Sequence, residues 1–239
     1  MTNNFTGKVV LIAGGTGGLG RAVSLAFLGE GATVAVTYRA QEEFAALRNA
    51  AGARAASLEG LAVDVTDDPA TRELAGKLVA GHGRLDFLVN AVGAYAGGTA
   101  LWETDSGLLD RMLAANVRSG YALARAVAPV MIQQKHGVIV NVASQAAVDH
   151  AAGAAAYAAS KAAALAMIDS LAADLKGTGV RANSILPSII DTEANRKAIP
   201  KADFAKWPKP EDIARVVLFL CSDDARLIHG AAIPVYGNM

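Results

Sequence analysis

The chain has 239 residues, 53% of them hydrophobic and 18% charged, with 22 Lys+Arg against 22 Asp+Glu. Zero net charge gives no electrostatic case for a nucleic acid or an anionic membrane as partner, and no apolar run of about 18 residues is present to span a bilayer. A lone cysteine, Cys221, cannot form an internal disulfide, and no metal-ligand spacing exists. The opening MTNNFTGK lacks the charged-then-apolar pattern of a leader, which makes a cytoplasmic location the default expectation.

In chain order, residues 9–13 (VVLIA) predict a short strand buried on both faces of a parallel sheet. A glycine cluster, Gly14-Gly15-Thr16-Gly17-Gly18-Leu19-Gly20, leads into an amphipathic helix that Gly31 ends. Residues 34–37 (VAVT) predict a second strand, completing a βαβ unit with a right-handed crossover. Helices are then expected at about 41–51 and 69–82, and strands at about 57–63 and 87–90. A long helical region spans about 104–134, with Pro129 as an expected bend. Strand 137–143, helix 154–176 and strand 180–186 follow, the last ended by Pro187. The polar, proline-containing stretch 188–208 reads as a loop or substrate lid. A helix at 211–222 and a strand near 231–235 close the pattern. The expected fold is a single-domain, doubly wound α/β Rossmann architecture over 1–239, with about seven parallel strands and helices on both faces.

Gly14, Gly18 and Gly20 follow a strand and open a helix. Without side chains there, backbone N–H groups can approach a phosphate, and the helix N-terminus favours its charge. The spacing is G-x3-G-x-G. The end of the second strand helps choose the cofactor: an acid would hold the ribose 2′-hydroxyl of NAD, an arginine the 2′-phosphate of NADP. This chain carries Thr37-Tyr38-Arg39 and no acid, so NADP(H) is favoured with Arg39 as phosphate partner, NAD(H) being the alternative.

In helix 154–176, Tyr157 and Lys161 are four residues apart and project from one face. A phenol beside a fixed cation loses its proton more readily, which makes Tyr157 a candidate general acid/base.

With these signatures in this order, the chain resembles the short-chain dehydrogenase/reductase family, in its compact branch of about 250 residues, and is similar to its 3-oxoacyl thioester reductases. The glycine turn matches the family's T-G-x3-G-x-G, with Ala13 in place of Thr. Asp64-Val65 matches its adenine contact, and Asn90-Ala91-Val92-Gly93 its N-N-A-G. Asn116 matches the active-site Asn, Ser144 the catalytic Ser, and Tyr157-x3-Lys161 the active-site pair; Pro187 and Thr192 match its P-G-x3-T segment. The resemblance implies a dehydrogenase with Asn116, Ser144, Tyr157 and Lys161 as catalytic residues. It implies a cofactor site formed by Gly14, Thr16, Gly17, Gly18, Leu19, Tyr38, Arg39, Asp64, Val65, Asn90, Ala91, Val92, Tyr157, Lys161, Pro187, Ile190 and Thr192, with no metal. By the same resemblance Ser144 holds the substrate oxygen, Tyr157 supplies the proton, Lys161 lowers the tyrosine pKa and binds the nicotinamide ribose, and Asn116 holds a water in the relay behind that lysine.

Four departures stand out. Ala91-Val92 replaces Asn-Ala, removing an amide that braces the central strands; Ser188 replaces a glycine; Tyr236 replaces an Asp; and Gly17 stands where many NADP users carry Lys or Arg. Tyr95, Ala146, Val148, Ala152, Ile189 and Ile190 would make a largely apolar substrate pocket. The expected substrate is a ketone or acyl thioester, with a sugar or polyol alcohol as the alternative, and a non-catalytic NADP-binding sensor as the reading from another class. Family members commonly associate through helix 154–176 and the long helix before it, so a homodimer or homotetramer is expected.

Overall fold

A computed structural model describes residues 5–238. Residues 1–4, half of the opening read for a leader, lie outside the described residues, as does Met239. Seven strands run as β1 (Val9–Ala13), β2 (Thr33–Tyr38), β3 (Leu58–Ala62), β4 (Phe87–Asn90), β5 (Gly137–Val142), β6 (Val180–Pro187) and β7 (Ala232–Val235). They form one all-parallel sheet in the order β3-β2-β1-β4-β5-β6-β7. The order reverses between β1 and β4, the switch point at which the carboxyl ends of such a sheet leave a crevice.

The central strands are apolar on both faces because helices cover both. On one face, α1 (Gly18–Gly29) and α8 (Pro210–Cys221) pack with Val10, Ile12, Val34, Val36 and Val140. There Phe5, Phe27 and Phe87 meet with ring centroids 5.2–5.9 Å apart. On the other face, α3 (Asp68–His82), α5 (Ser119–Gln134) and α6 (Ala155–Asp174) close over Leu11, Ala35, Leu88 and Ile139. The remaining helices are α2 (Gln41–Ala51), α4 (Leu108–Leu113) and α7 (Glu193–Ala198). Among the described residues no helix is long and apolar enough to cross a membrane.

The structure refines the sequence expectation in two places. The long helical region runs without a break from Leu108 to Gln134, with Pro129 inside α5, but α4 and α5 are joined through a π-helical turn, Ala114–Arg118, that contains Asn116. Within 188–208, expected as loop, Thr192 accepts a hydrogen bond from the Asn195 backbone N–H and caps the two-turn α7.

Ser188 has no backbone penalty for replacing glycine, because the sole described non-glycine residue with positive φ is Lys135. Its hydroxyl instead donates to the Tyr236 carbonyl at 2.8 Å and ties the end of β6 to the chain beyond β7.

Cys221 is buried at the end of α8, and burial pushes its thiol up to about 12. Because the thiolate is the reactive form, DTNB at about pH 8 is expected to leave the native thiol unmodified and to titrate it on unfolding. Rapid labelling of folded protein would show that α8 opens locally.

Candidate active site

The glycine turn is held open by backbone geometry. Gly14 lies at φ 71°, and a Cβ at Gly20 would stand 2.0 Å from the Gly14 carbonyl oxygen, so no side chain fits there. The Gly14 N–H donates to Thr37 Oγ1 at 3.0 Å, fixing the turn to the end of β2. Gly17, at the N-cap of α1, offers no side-chain cap, which leaves the first amides of the helix for an outside acceptor. Thr192 lies over Gly18: a Cβ there would come within 2.7 Å of the threonine methyl. These features fit a dinucleotide phosphate.

Around the turn stand the other expected cofactor residues, each at the carboxyl end of a strand or just beyond it. Tyr38 ends β2 and stacks on Phe44 at 4.9 Å, and Arg39 next to it is exposed. Asp64 follows β3 and is held low by hydrogen bonds from the Thr66 backbone and hydroxyl, with a smaller contribution from the Arg39 charge. Val65 beside it is buried. Asn90 ends β4, donating to Asn141 Oδ1 at 3.0 Å and accepting from the Val92 N–H. Ala91 and Val92 lie against Gly14. Asn141 Nδ2 has no partner among the described residues, in the part of the sheet where the missing amide at 91 was expected to be felt. Pro187 ends β6, with Ile190 and Thr192 beyond it.

The proposed catalytic residues also converge. Ser144 follows β5, its Oγ accepting from the Ala146 N–H at 3.1 Å. Tyr157 and Lys161 lie one turn apart on α6. Burial raises the Tyr157 phenol; hydrogen bonding with Ser144 opposes that, and Tyr95 adds to it. The Tyr95 ring meets Tyr157 edge-on at 4.9 Å. This differs from the sequence expectation that Lys161 governs the phenol. The lysine ammonium instead donates to the Val142 carbonyl at 3.1 Å. Gly93 covers it: a Cβ there would fall 3.1 Å from Lys161 Nζ and 2.9 Å from Asn116 Oδ1. Asn116 clamps the loop after β4, accepting from the Ala94 N–H at 2.9 Å and donating to the Ala94 carbonyl at 3.0 Å. It also donates to Ser160 Oγ, and the Ser160 hydroxyl donates to the Tyr157 carbonyl at 2.7 Å. Asn116 is therefore coupled to α6 through Ser160, a residue the sequence reading passed over although it lies one turn from Tyr157.

Burial brings the Lys161 ammonium down to about 8. A lysine whose folded pKa lies below its unfolded value binds fewer protons folded than unfolded between the two, so stability rises with pH in that window. Relative to Lys161→Met, the ligand-free wild type is expected to gain up to about 3 kcal/mol in urea unfolding between about pH 8 and about 10.4. A flat difference would mean that the ammonium is solvated.

One further carboxylate joins the site. Thr16 Oγ1 donates at 2.9 Å to Glu43 Oε2, from the first turn of α2. The sequence reading looked for an acid beside Arg39 and found none, because this acid comes from the following helix.

Comparison with known proteins agrees with this geometry. The family model described as short chain dehydrogenase matches residues 8–203. The chain is 32% identical to a 3-oxoacyl-(acyl-carrier-protein) reductase from Thermotoga maritima, over 98% of both chains. Among solved structures, ElxO with NADP bound superposes with a TM-score of 0.90 at 27% identity, covering 96% of this chain and 97% of that one. An NAD+-bound xylitol dehydrogenase gives 0.90 at 27% identity, covering 98% and 99%.

Proposed function

Because this chain belongs to the short-chain dehydrogenase/reductase family, we propose that it reduces a ketone or 3-oxoacyl thioester with NADPH and runs in reverse as an alcohol dehydrogenase. The observation that carries the reading is the convergence of Ser144, just after β5, with Tyr157 and Lys161, one turn apart on α6; burial holds the phenol in its protonated form at neutral pH. A protonated phenol at that position is a proton donor waiting for an oxygen that gains charge.

The cofactor, when bound, supplies the hydride. The chain does the rest. The Ser144 hydroxyl donates to the substrate oxygen and holds the carbonyl in place as its charge develops. Tyr157 Oη gives that oxygen its proton. The Lys161 ammonium, now resting on the Val142 carbonyl, binds the nicotinamide ribose and favours the phenolate left behind. Asn116 fixes the loop after β4 and, through Ser160, the first turns of α6. The turn amides from Gly14 to Leu19, with Thr16, Gly17 and Gly18 among them, take the pyrophosphate. Tyr38 and Arg39 face the adenosine ribose, with Arg39 on a 2′-phosphate; Asp64 and Val65 take the adenine. Asn90, Ala91, Val92, Pro187, Ile190 and Thr192 border the nicotinamide half. Residues 188–208 act as a lid, hinged beyond Pro187 and seated through Thr192 on Gly18. Tyr95 and Val148, both exposed, leave apolar surface for a substrate to cover. Self-association as a dimer or tetramer goes with this reading, and is supported by Leu109 and Tyr121, apolar side chains left exposed on α4 and α5.

NADPH oxidation with a short 3-oxoacyl thioester tests the reading, and turnover is the expected result. NADPH bound without turnover on this thioester or on simple ketones would overturn it. A second reading, NAD-linked oxidation of a polyol or other secondary alcohol, is favoured by one observation, the Glu43 carboxylate on Thr16. NAD+ reduction with a vicinal diol tests that alternative.

A further inference from the structure

We propose that Glu43 is a specificity-determining residue for the cofactor. It presents to the adenosine 2′-position, from α2, the carboxylate that the end of β2 lacks. The inference rests on the nicotinamide-binding reading above and adds to it the selection between NAD(H) and NADP(H).

The argument starts from what surrounds the glycine turn. Two bonds tie that turn to its neighbours: Gly14 N–H to Thr37 at the end of β2, and Thr16 to Glu43 on α2. The ribose end of a dinucleotide lies between these partners, because the turn takes the pyrophosphate and the end of β2 takes the ribose. Two charges of opposite sign therefore face it. Arg39 is exposed and makes no ion pair among the described residues, so its guanidinium remains available to an anion. Glu43 is exposed too, and its side chain meets a neutral hydroxyl and no cation among the described residues.

The two charges pull in opposite directions. A ribose 2′-hydroxyl can donate to Glu43 as Thr16 now does, a hydrogen bond to a charged acceptor. A 2′-phosphate can donate nothing at neutral pH and brings negative charge toward that carboxylate, while Arg39 attracts it. Gly17, beside Thr16, brings no second cation to tip the balance. The protein accepts both cofactors as a result, with a modest preference set by Arg39 against Glu43.

Calorimetric binding of NADP+ and NAD+ to wild type, Glu43→Gln, Arg39→Ala and Thr16→Val tests this without any substrate. Glu43→Gln is expected to tighten NADP+ by roughly tenfold and to weaken NAD+ a few-fold. The gain for NADP+ should shrink in about 0.5 M KCl, since screening removes a penalty between exposed charges. Arg39→Ala is expected to weaken NADP+ at least about tenfold and to leave NAD+ nearly unchanged. Thr16→Val, which removes the bond but keeps the carboxylate, should not reproduce the NADP+ gain. An unchanged NADP+/NAD+ ratio in Glu43→Gln overturns the inference. So does an equal shift of both cofactors in Glu43→Gln and Thr16→Val, which would mean that Glu43 only braces the turn. Wild type that binds neither cofactor removes the nicotinamide reading itself, a result distinct from either of these.

Discussion

Tyr157→Phe is expected to lower turnover by at least about a hundredfold, the scale of a lost general acid, while still binding NADPH. The substitution removes one oxygen and keeps the ring that Tyr95 packs against at 4.9 Å, so the pocket wall survives. The loss should appear in kcat rather than in KM, because the proton is transferred only as the substrate oxygen gains charge. The pH profile adds a second readout. Burial holds the phenol above its ordinary value, so the donor form persists through neutral pH and reduction by wild type should decline only on the alkaline side. Turnover that survives in Tyr157→Phe would mean that the proton comes from another group, and the assignment of Tyr157 would fall.

Asp86→Ala should cost about 1–3 kcal/mol of stability, the scale of leaving a buried donor without its acceptor. The Asp86 side chain is fully buried at the amino end of β4, far along the strand from the crevice. It accepts from the Val9 N–H at 2.9 Å and from Arg84 Nε at 2.7 Å, with Arg84 Nη2 and Lys8 Nζ beside it. Removing the carboxylate leaves the buried Val9 N–H without its acceptor, whereas Arg84 and Lys8, both partly exposed, can turn to water. Burial alone would raise its pKa, but the Arg84 hydrogen bond, the Val9 N–H and the Lys8 charge outweigh it and hold the carboxyl below the usual range. A carboxyl lowered in the folded state stabilises above its unfolded pKa, and that contribution is lost as pH falls from about 4 through the folded value. Urea unfolding at neutral pH measures the first effect. The acid limb measures the second: Asp86→Asn should show a shallower decline below about pH 4 than wild type. Equal slopes would place the acid sensitivity elsewhere.

Much of this was legible in the chain, for physical reasons that differ from element to element. The central strands β1, β4 and β5 are short, largely apolar runs, a pattern that a sheet covered on both faces requires, whereas the edge strands β3 and β7 are partly exposed. The glycine turn and the Tyr157–Lys161 spacing are local, so their geometry follows from backbone rules alone. What escaped was set by distance in sequence. The π-helical turn at 114–118 arises where Asn116 reaches the Ala94 backbone and Ser160, contacts that no helical period encodes. The direction of the Lys161 ammonium depends on the Val142 carbonyl of β5. Glu43 reads as an ordinary surface acid in the first turn of a helix until the fold brings Thr16 to it. Arg196 of α7 shows the same limit: it pairs with Asp191 and lies 4.9 Å from the Phe204 ring centroid, ordering a stretch whose composition reads as loop.

The strand order carries a consequence for how the molecule is made. β1 leaves the ribosome before the other six strands of the sheet, yet it lies near the middle, and one of its two partners, β4, follows it by almost eighty positions. During synthesis the growing chain can pair β1 with β2 and β2 with β3, while the other edge of β1 waits unpaired and apolar. Such long-range parallel pairing is slow, and a bare apolar edge invites wrong partners. The nascent chain at that stage keeps this edge open until β4 has been made. It also completes the glycine turn and the ends of β2 and β3 long before α6 delivers Tyr157 and Lys161. A stalled or truncated chain ending before β5 would therefore hold half of a nucleotide cleft and none of the Ser144–Tyr157–Lys161 set.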